Sequence, residues 1–174
     1  MYMRDRIVAI CALCTFACAA LAEGEPGLGR EMSAAEVATM DFVIMADGEG
    51  LPPGSGSAAT GATVYQQHCV VCHGEEGKNG LHDSLAGGRD TIRGPMPNKT
   101  VGSYWPYATT LFDYIRRAMP YQNPGNLSND ELYALTAYVL YLNGIVGESD
   151  TIDAGSLPLA EMPNRDNFVW AIER

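Results

Sequence analysis

The feature that most constrains this chain is the pentapeptide Cys69-Val70-Val71-Cys72-His73. On a helical turn, positions 69, 72 and 73 stand at i, i+3 and i+4, so two thiols and an imidazole project from one face. Cys, two spacers, Cys, then His is the attachment signature of a c-type haem, in which both thiols become thioethers to the porphyrin and the histidine an axial iron ligand. The competing readings are zinc held by Cys69, Cys72, His73 and His82, or a redox dithiol. Structural zinc sites prefer two separated ligand pairs, and a dithiol has no need of the adjacent histidine. One covalent haem c, on Cys69 and Cys72, is therefore the expected cofactor.

The other cysteines fall in a leader. Arg4 and Arg6 precede an uncharged, mostly apolar run over residues 7–21, and Ala20-Leu21-Ala22 is a small-x-small cleavage site. Residues 1–22 are expected to be a secretory signal peptide, with the mature chain starting at Glu23 in the periplasm. An uncleaved membrane anchor is the competing reading, but the run is shorter than the roughly 20 residues a spanning helix needs, and no membrane span is expected after cleavage. Cys11, Cys14 and Cys18 would leave with it. Only Cys69 and Cys72 remain, and haem attachment explains why a compartment that favours disulfides has none to form. The net charge of −10 becomes −11 once Arg4, Asp5 and Arg6 are removed. Such an acidic surface argues against nucleic acid and favours partners that present a positive patch.

At 174 residues the chain has room for one domain with a core. Residues 23–57 read as an N-terminal arm and linker, with a capping box at Ser33-Ala34-Ala35-Glu36 and a loop rich in Gly, Pro and Ser from Asp47. The domain proper is expected over residues 58–146, and residues 147–174 form a C-terminal tail wrapping it. Its first helix is predicted over 58–68, with Gly61, Tyr65 and Cys69 on one stripe and the glycine open to a close helix crossing. The last helix follows the capping box Ser128-Asn129-Asp130-Glu131, carries Leu132, Leu135, Val139 and Leu142 on one face, and stops at Asn143-Gly144. Between them lie a Gly-rich segment over 74–102, with little apolar periodicity, and a helix over 109–117. In the tail, Met162, Phe168 and Trp170 either pin it to the domain or dock a partner.

His73 takes one axial position, and the candidates for the other are Met96, Met119, Met162, His68 and His82, or an open site. Met119 is the choice, because it ends a helix in a Pro-flanked turn after enough chain to pass around the ring edge; Met96 is the main alternative. A thioether opposite histidine raises the reduction potential and closes the iron, which suits an electron carrier. A haem enzyme or sensor with a displaceable Met119 is the competing class.

Gly61, Tyr65, the Cys69–His73 motif, Met119-Pro120 and the final helix together resemble a class I cytochrome c domain over roughly residues 58–145. That resemblance implies an all-α fold, helices packed around one haem with the first and last crossing near its edge. The run from Lys99 through Tyr104-Trp105-Pro106-Tyr107 to Met119-Pro120, with flanking Leu51-Pro52-Pro53-Gly54 and Met162-Pro163-Asn164-Arg165-Asp166, is similar to the cytochrome subunit of bacterial sulfane (sulfite) dehydrogenase. This implies a non-catalytic subunit that takes electrons from a molybdenum-cofactor dehydrogenase and passes them to a downstream cytochrome or oxidase; service to another periplasmic dehydrogenase is the alternative. It also implies attachment at Cys69 and Cys72 and axial ligation by His73 and Met119. Longer members carry a second cytochrome domain, whereas this chain shows one motif. Where class I cytochromes have Gly-Pro ahead of a Leu-x-Gly turn, this chain has Gly80-Leu81 before Leu85-Ala86-Gly87, so no residue marks the acceptor for the second ring nitrogen of His73. Arg93, Lys99, Tyr104 and Trp105 read equally as partners of the haem carboxylates or as core and surface residues.

Overall fold

A computed structural model describes residues 28–40 and 42–169. The expected leader and Trp170 lie outside the described residues. The chain divides into two units, Met1–Asp41 and Phe42–Arg174. In the first, helix α1 (Ala34–Met40) opens on the expected capping box: the Ser33 backbone N–H donates to Glu36 Oε2 at 3.0 Å and the Glu36 N–H to Ser33 Oγ at 3.3 Å. Arg30 pairs with the same carboxylate and, ahead of Ser33, holds it down at about 2.

The second unit begins its regular structure with strand β1 (Ser55–Ser57), which runs directly into helix α2 (Ala58–His68). Ser57 and Thr60 make a reciprocal cap there, each side-chain oxygen accepting the other's backbone N–H, at 3.3 and 3.1 Å. The short helix α3 (Val70–His73) follows, then a loop with one 3-10 turn at Arg89–Thr91. Helices α4 (Ala108–Ala118) and α5 (Asn129–Leu142) come next, α5 capped by Ser128 and Glu131 as expected. Strand β2 (Thr151–Asp153) returns to pair antiparallel with β1, Gly56 opposite Ile152.

Helix α2 crosses α5 at Gly61, where a Cβ would collide with the Ala134 carbonyl. The bare backbone lets the two axes approach, and it brings Tyr65 into full burial beside Leu135 and Val139. Burial on α5 extends beyond the expected stripe to Tyr133, Thr136, Ala137 and Leu140, because β1 and α2 cover one flank and α4 another. Phe112 of α4 meets Tyr133 with ring centroids 4.6 Å apart. Fully burying side chains of this size is worth about 1.5–3 kcal/mol each, so this helix triad carries most of the core.

The flanking segments contribute more than pinning. Ile44 before β1, and Ile152, Leu157 and Met162 after α5, belong to the same buried core as the helices. Three-residue strands reading Ser-Gly-Ser and Thr-Ile-Asp show no alternation long enough to announce a sheet, so this pairing is an addition to the all-α expectation. Phe168 stays half exposed, its ring 5.6 Å from that of Tyr104. Among the described residues no helix is long and apolar enough to cross a membrane.

Candidate haem site

The site is built at the junction of α2 and α3. Helix α2 ends as the Cys69 N–H donates to Tyr65 O at 2.8 Å, and the next turn forms as the Cys72 and His73 N–H groups both donate to Cys69 O, at 3.1 and 2.9 Å. Cys69, Cys72 and His73 thereby line one cavity of about 760 Å³, inside the range of about 300–1,000 Å³ typical of ligand and cofactor sites. Met119, the C-cap of α4, lines the same cavity from a chain segment held by its N–H bond to Ile115 O at 3.0 Å. Leu85, Leu111, Leu135 and Val139 supply apolar wall.

The missing Gly-Pro is replaced by a different backbone group. His73 Nδ1 lies 3.0 Å from the carbonyl oxygen of Asp83. A carbonyl only accepts, so Nδ1 carries the proton and Nε2 is the lone-pair nitrogen, the tautomer a metal-binding imidazole needs. Two further contacts hold the turn. Tyr65 donates its hydroxyl to Gly74 O at 2.8 Å. Gly80 passes so close to Cys72 O and the His73 backbone that a Cβ there would collide with both. The next loop is tied by Asn143, whose side chain accepts from the Gly87 N–H at 3.1 Å and donates to Leu85 O at 3.1 Å and Val139 O at 2.9 Å.

The electrostatics argue against the competing chemistries. Burial, then the neighbouring Cys72, pushes the Cys69 thiol up to about 11. A redox dithiol does the reverse and lowers its attacking thiol. Among the described residues, no three His, Cys, Asp or Glu side chains converge to hold a bare metal ion, so the zinc set has no geometry. The thiols are not joined in a disulfide.

Of the other sixth-ligand candidates, the two methionines lie off the cavity and the two histidines on it. Met96 is 86% exposed and away from the cavity, and Met162 is buried in the core at 4%. His68 and His82 are exposed residues on the cavity lining, His82 with its ring 6.4 Å from that of His73. Lys99 and Trp105 line the cavity too, whereas Arg93 and Tyr104 line a neighbouring one. Sequence reasoning missed Asp83, since a backbone acceptor has no residue signature. It also saw only a helix stop in Asn143, whose Asn-Gly context concealed the side-chain ties.

A family model described as cytochrome C oxidase, cbb3-type, subunit III matches residues 56–139. Among solved structures, a chain of the sulfane dehydrogenase SoxCD from Paracoccus pantotrophus is 39% identical, with 83% of this chain and 72% of that chain covered and a TM-score of 0.76. This chain belongs to the cytochrome c family. It is accordingly an electron-transfer protein with a class I fold and a c-type haem, and it is not itself a catalyst. No curated protein sequence matches this cytochrome.

Proposed function

We propose that this cytochrome is a periplasmic, monohaem carrier of single electrons, taking them from a molybdenum-dependent dehydrogenase of sulfite or sulfane sulfur and passing them to a downstream cytochrome or oxidase. The observation that carries the site is the convergence of Cys69, Cys72, His73 and Met119 on one largely apolar cavity. The sulfur assignment rests on the identity to the SoxCD chain.

The donor set fits the group. Cys69 and Cys72, three residues apart on one turn, would anchor the haem, and His73, with Nδ1 held by Asp83 O, would offer Nε2 to the iron. Met119, on the same cavity, would supply the other iron ligand. A c-type haem held there supplies a one-electron couple between ferric and ferrous iron. The chain's own work is to keep that couple at a useful potential and to deny the iron to small molecules: the apolar wall limits water, and the Met119 thioether favours the reduced form. No acid, base or nucleophile is required of the protein.

Mass spectrometry of the exported protein should show residues 1–22 removed and one haem added, and the Cys72→Ala variant should lose the second thioether. Rapid mixing with a sulfur-oxidising molybdoenzyme and sulfite or thiosulfate should reduce the protein within the turnover time of the enzyme. Failure with every sulfur donor would remove the sulfur assignment and leave the cytochrome.

A further inference from the structure

Two Asn-Gly pairs occur in the chain, Asn79-Gly80 and Asn143-Gly144. Asparagine ahead of glycine is chemically fragile, because no side chain on the glycine shields its backbone nitrogen from the asparagine amide. We propose that Asn79-Gly80 is a deamidation site of the folded protein, whose isoaspartyl product displaces the loop that holds His73.

The chemistry needs only solvent. The Gly80 amide gives up its proton to hydroxide and its nitrogen bonds to Asn79 Cγ. The side-chain nitrogen takes a proton from water and leaves as ammonia, so that a five-membered imide remains. Water then opens the imide at one of its two carbonyls. One opening gives aspartate; the other gives isoaspartate, in which the main chain runs through the side chain and is one methylene longer.

The two pairs differ in how they are held. Asn79 is exposed, and among the described residues its side chain takes part in no hydrogen bond, nor does the Gly80 N–H donate to a protein group. Both reacting groups are therefore free, and the side chain can swing onto the backbone. Asn143 is the reverse case. Its side-chain amide is tied to Gly87 N–H, Leu85 O and Val139 O, and the Gly144 N–H donates to Tyr141 O at 2.8 Å. All four bonds must open before its ring can close.

The extra methylene at position 79 enters a backbone with little slack. Gly80 lies so close to Cys72 O and the His73 backbone that a Cβ would collide with both. Just beyond it, the His82 N–H donates to Cys72 O at 2.9 Å, and Asp83 O lies 3.0 Å from His73 Nδ1. Lengthening the chain at Asn79 pushes on both of these anchors of the histidine turn. The modification stands apart from the haem assignment; that the displaced histidine is an iron ligand rests on the function proposed above.

Storage of the haem-loaded protein in mildly alkaline buffer, followed by tryptic mapping and isoaspartyl methyltransferase labelling, tests this. In the folded protein Asn79 should convert roughly a hundredfold faster than Asn143, whose hydrogen bonds must first open. In urea the two should convert at similar rates, because only the fold distinguishes them. Asn79→Gly, which suits the left-handed backbone there (φ 59°), should abolish conversion at this position. Separated by ion exchange, the isoaspartyl form should melt several degrees below Asn79→Asp, which carries the same charge without the extra methylene. Equal conversion of both asparagines in the folded protein, or an Asn79 that converts in urea and not in the fold, overturns the assignment. An isoaspartyl form that melts together with Asn79→Asp overturns the displacement of the loop. Neither readout depends on which residues bind iron, so failure here leaves the haem assignment standing.

Discussion

Asn143→Ala should be among the most damaging single changes outside the haem ligands. The side chain makes three hydrogen bonds, to Gly87 N–H, Leu85 O and Val139 O, from a half-buried position at the C-terminus of α5. Each is worth about 1 kcal/mol net, and the Gly87 and Leu85 groups are left with poor access to water, so the total is about 3 kcal/mol, within a range of about 2–5. Against a typical domain stability of about 5–15 kcal/mol this is a large fraction. In urea, with a slope of about 1–3 kcal/mol/M, the midpoint of the haem-loaded protein should fall by roughly 1–3 M at unchanged slope. Asn143→Asp separates the tie from a simple helix stop. It keeps the acceptor for Gly87 but faces a carboxylate toward two carbonyls at the negative end of a helix, so at neutral pH it should be no better than alanine. A loss below about 0.5 kcal/mol for Asn143→Ala, or wild-type stability for Asn143→Asp, would refute the reasoning.

Met119→Ala should abolish the near-infrared methionine-to-iron charge-transfer band and admit carbon monoxide to reduced protein; persistence of the band would move the ligand elsewhere. Gly61→Val forces a side chain into the Ala134 carbonyl and should cost about 3 kcal/mol or more, read as a fall in Tm. Tyr65→Phe removes the bond to Gly74 O and should cost about 1 kcal/mol. Burial raises the Tyr65 phenol from 10.0 to about 12, so its contribution is fully present below pH 10 and is lost as pH climbs toward 12, seen as a falling Tm in alkaline buffers. The Ser128 hydrogen bonds hold the Glu131 carboxyl below its ordinary 4.5, so its contribution is present above that pH and lost on acidification, and Ser128→Ala should cost about 1 kcal/mol.

The helices were legible where the chain carries an end signal or a packing face. Ser128 to Glu131 opens α5, and Gly61-Tyr65-Cys69 marks the side of α2 that meets it. The donor set could be read as an expectation because two thiols and a histidine at fixed spacing admit little other chemistry; of the two methionines weighed for the iron, Met119 lines the cavity and Met96 is exposed away from it. What escaped notice was carried by backbone or by distant pairing. Asp83 acts through a carbonyl that any residue supplies. The Ser57 cap closes on Thr60 in place of the usual Glu or Gln. Ile152 and Leu157 enter the core where β2 brings the tail back, and three residues of strand leave no period to read.

That returning strand also sets an order of events. Pairing Ser57 with Thr151 closes a loop that contains all four helices from α2 to α5 and the whole cysteine motif. Long-range closure lags local helix formation, because its entropy cost must be met before its contacts form. Helices α2 and α5 can therefore dock while both flanks are still apart, with Cys69 and Cys72 already on an ordered turn. The sheet then acts as a clasp against the last helix of an already packed core. Pulse-labelled hydrogen exchange should find the Leu135 and Val139 amides protected before that of Ile152, and simultaneous protection would remove the order.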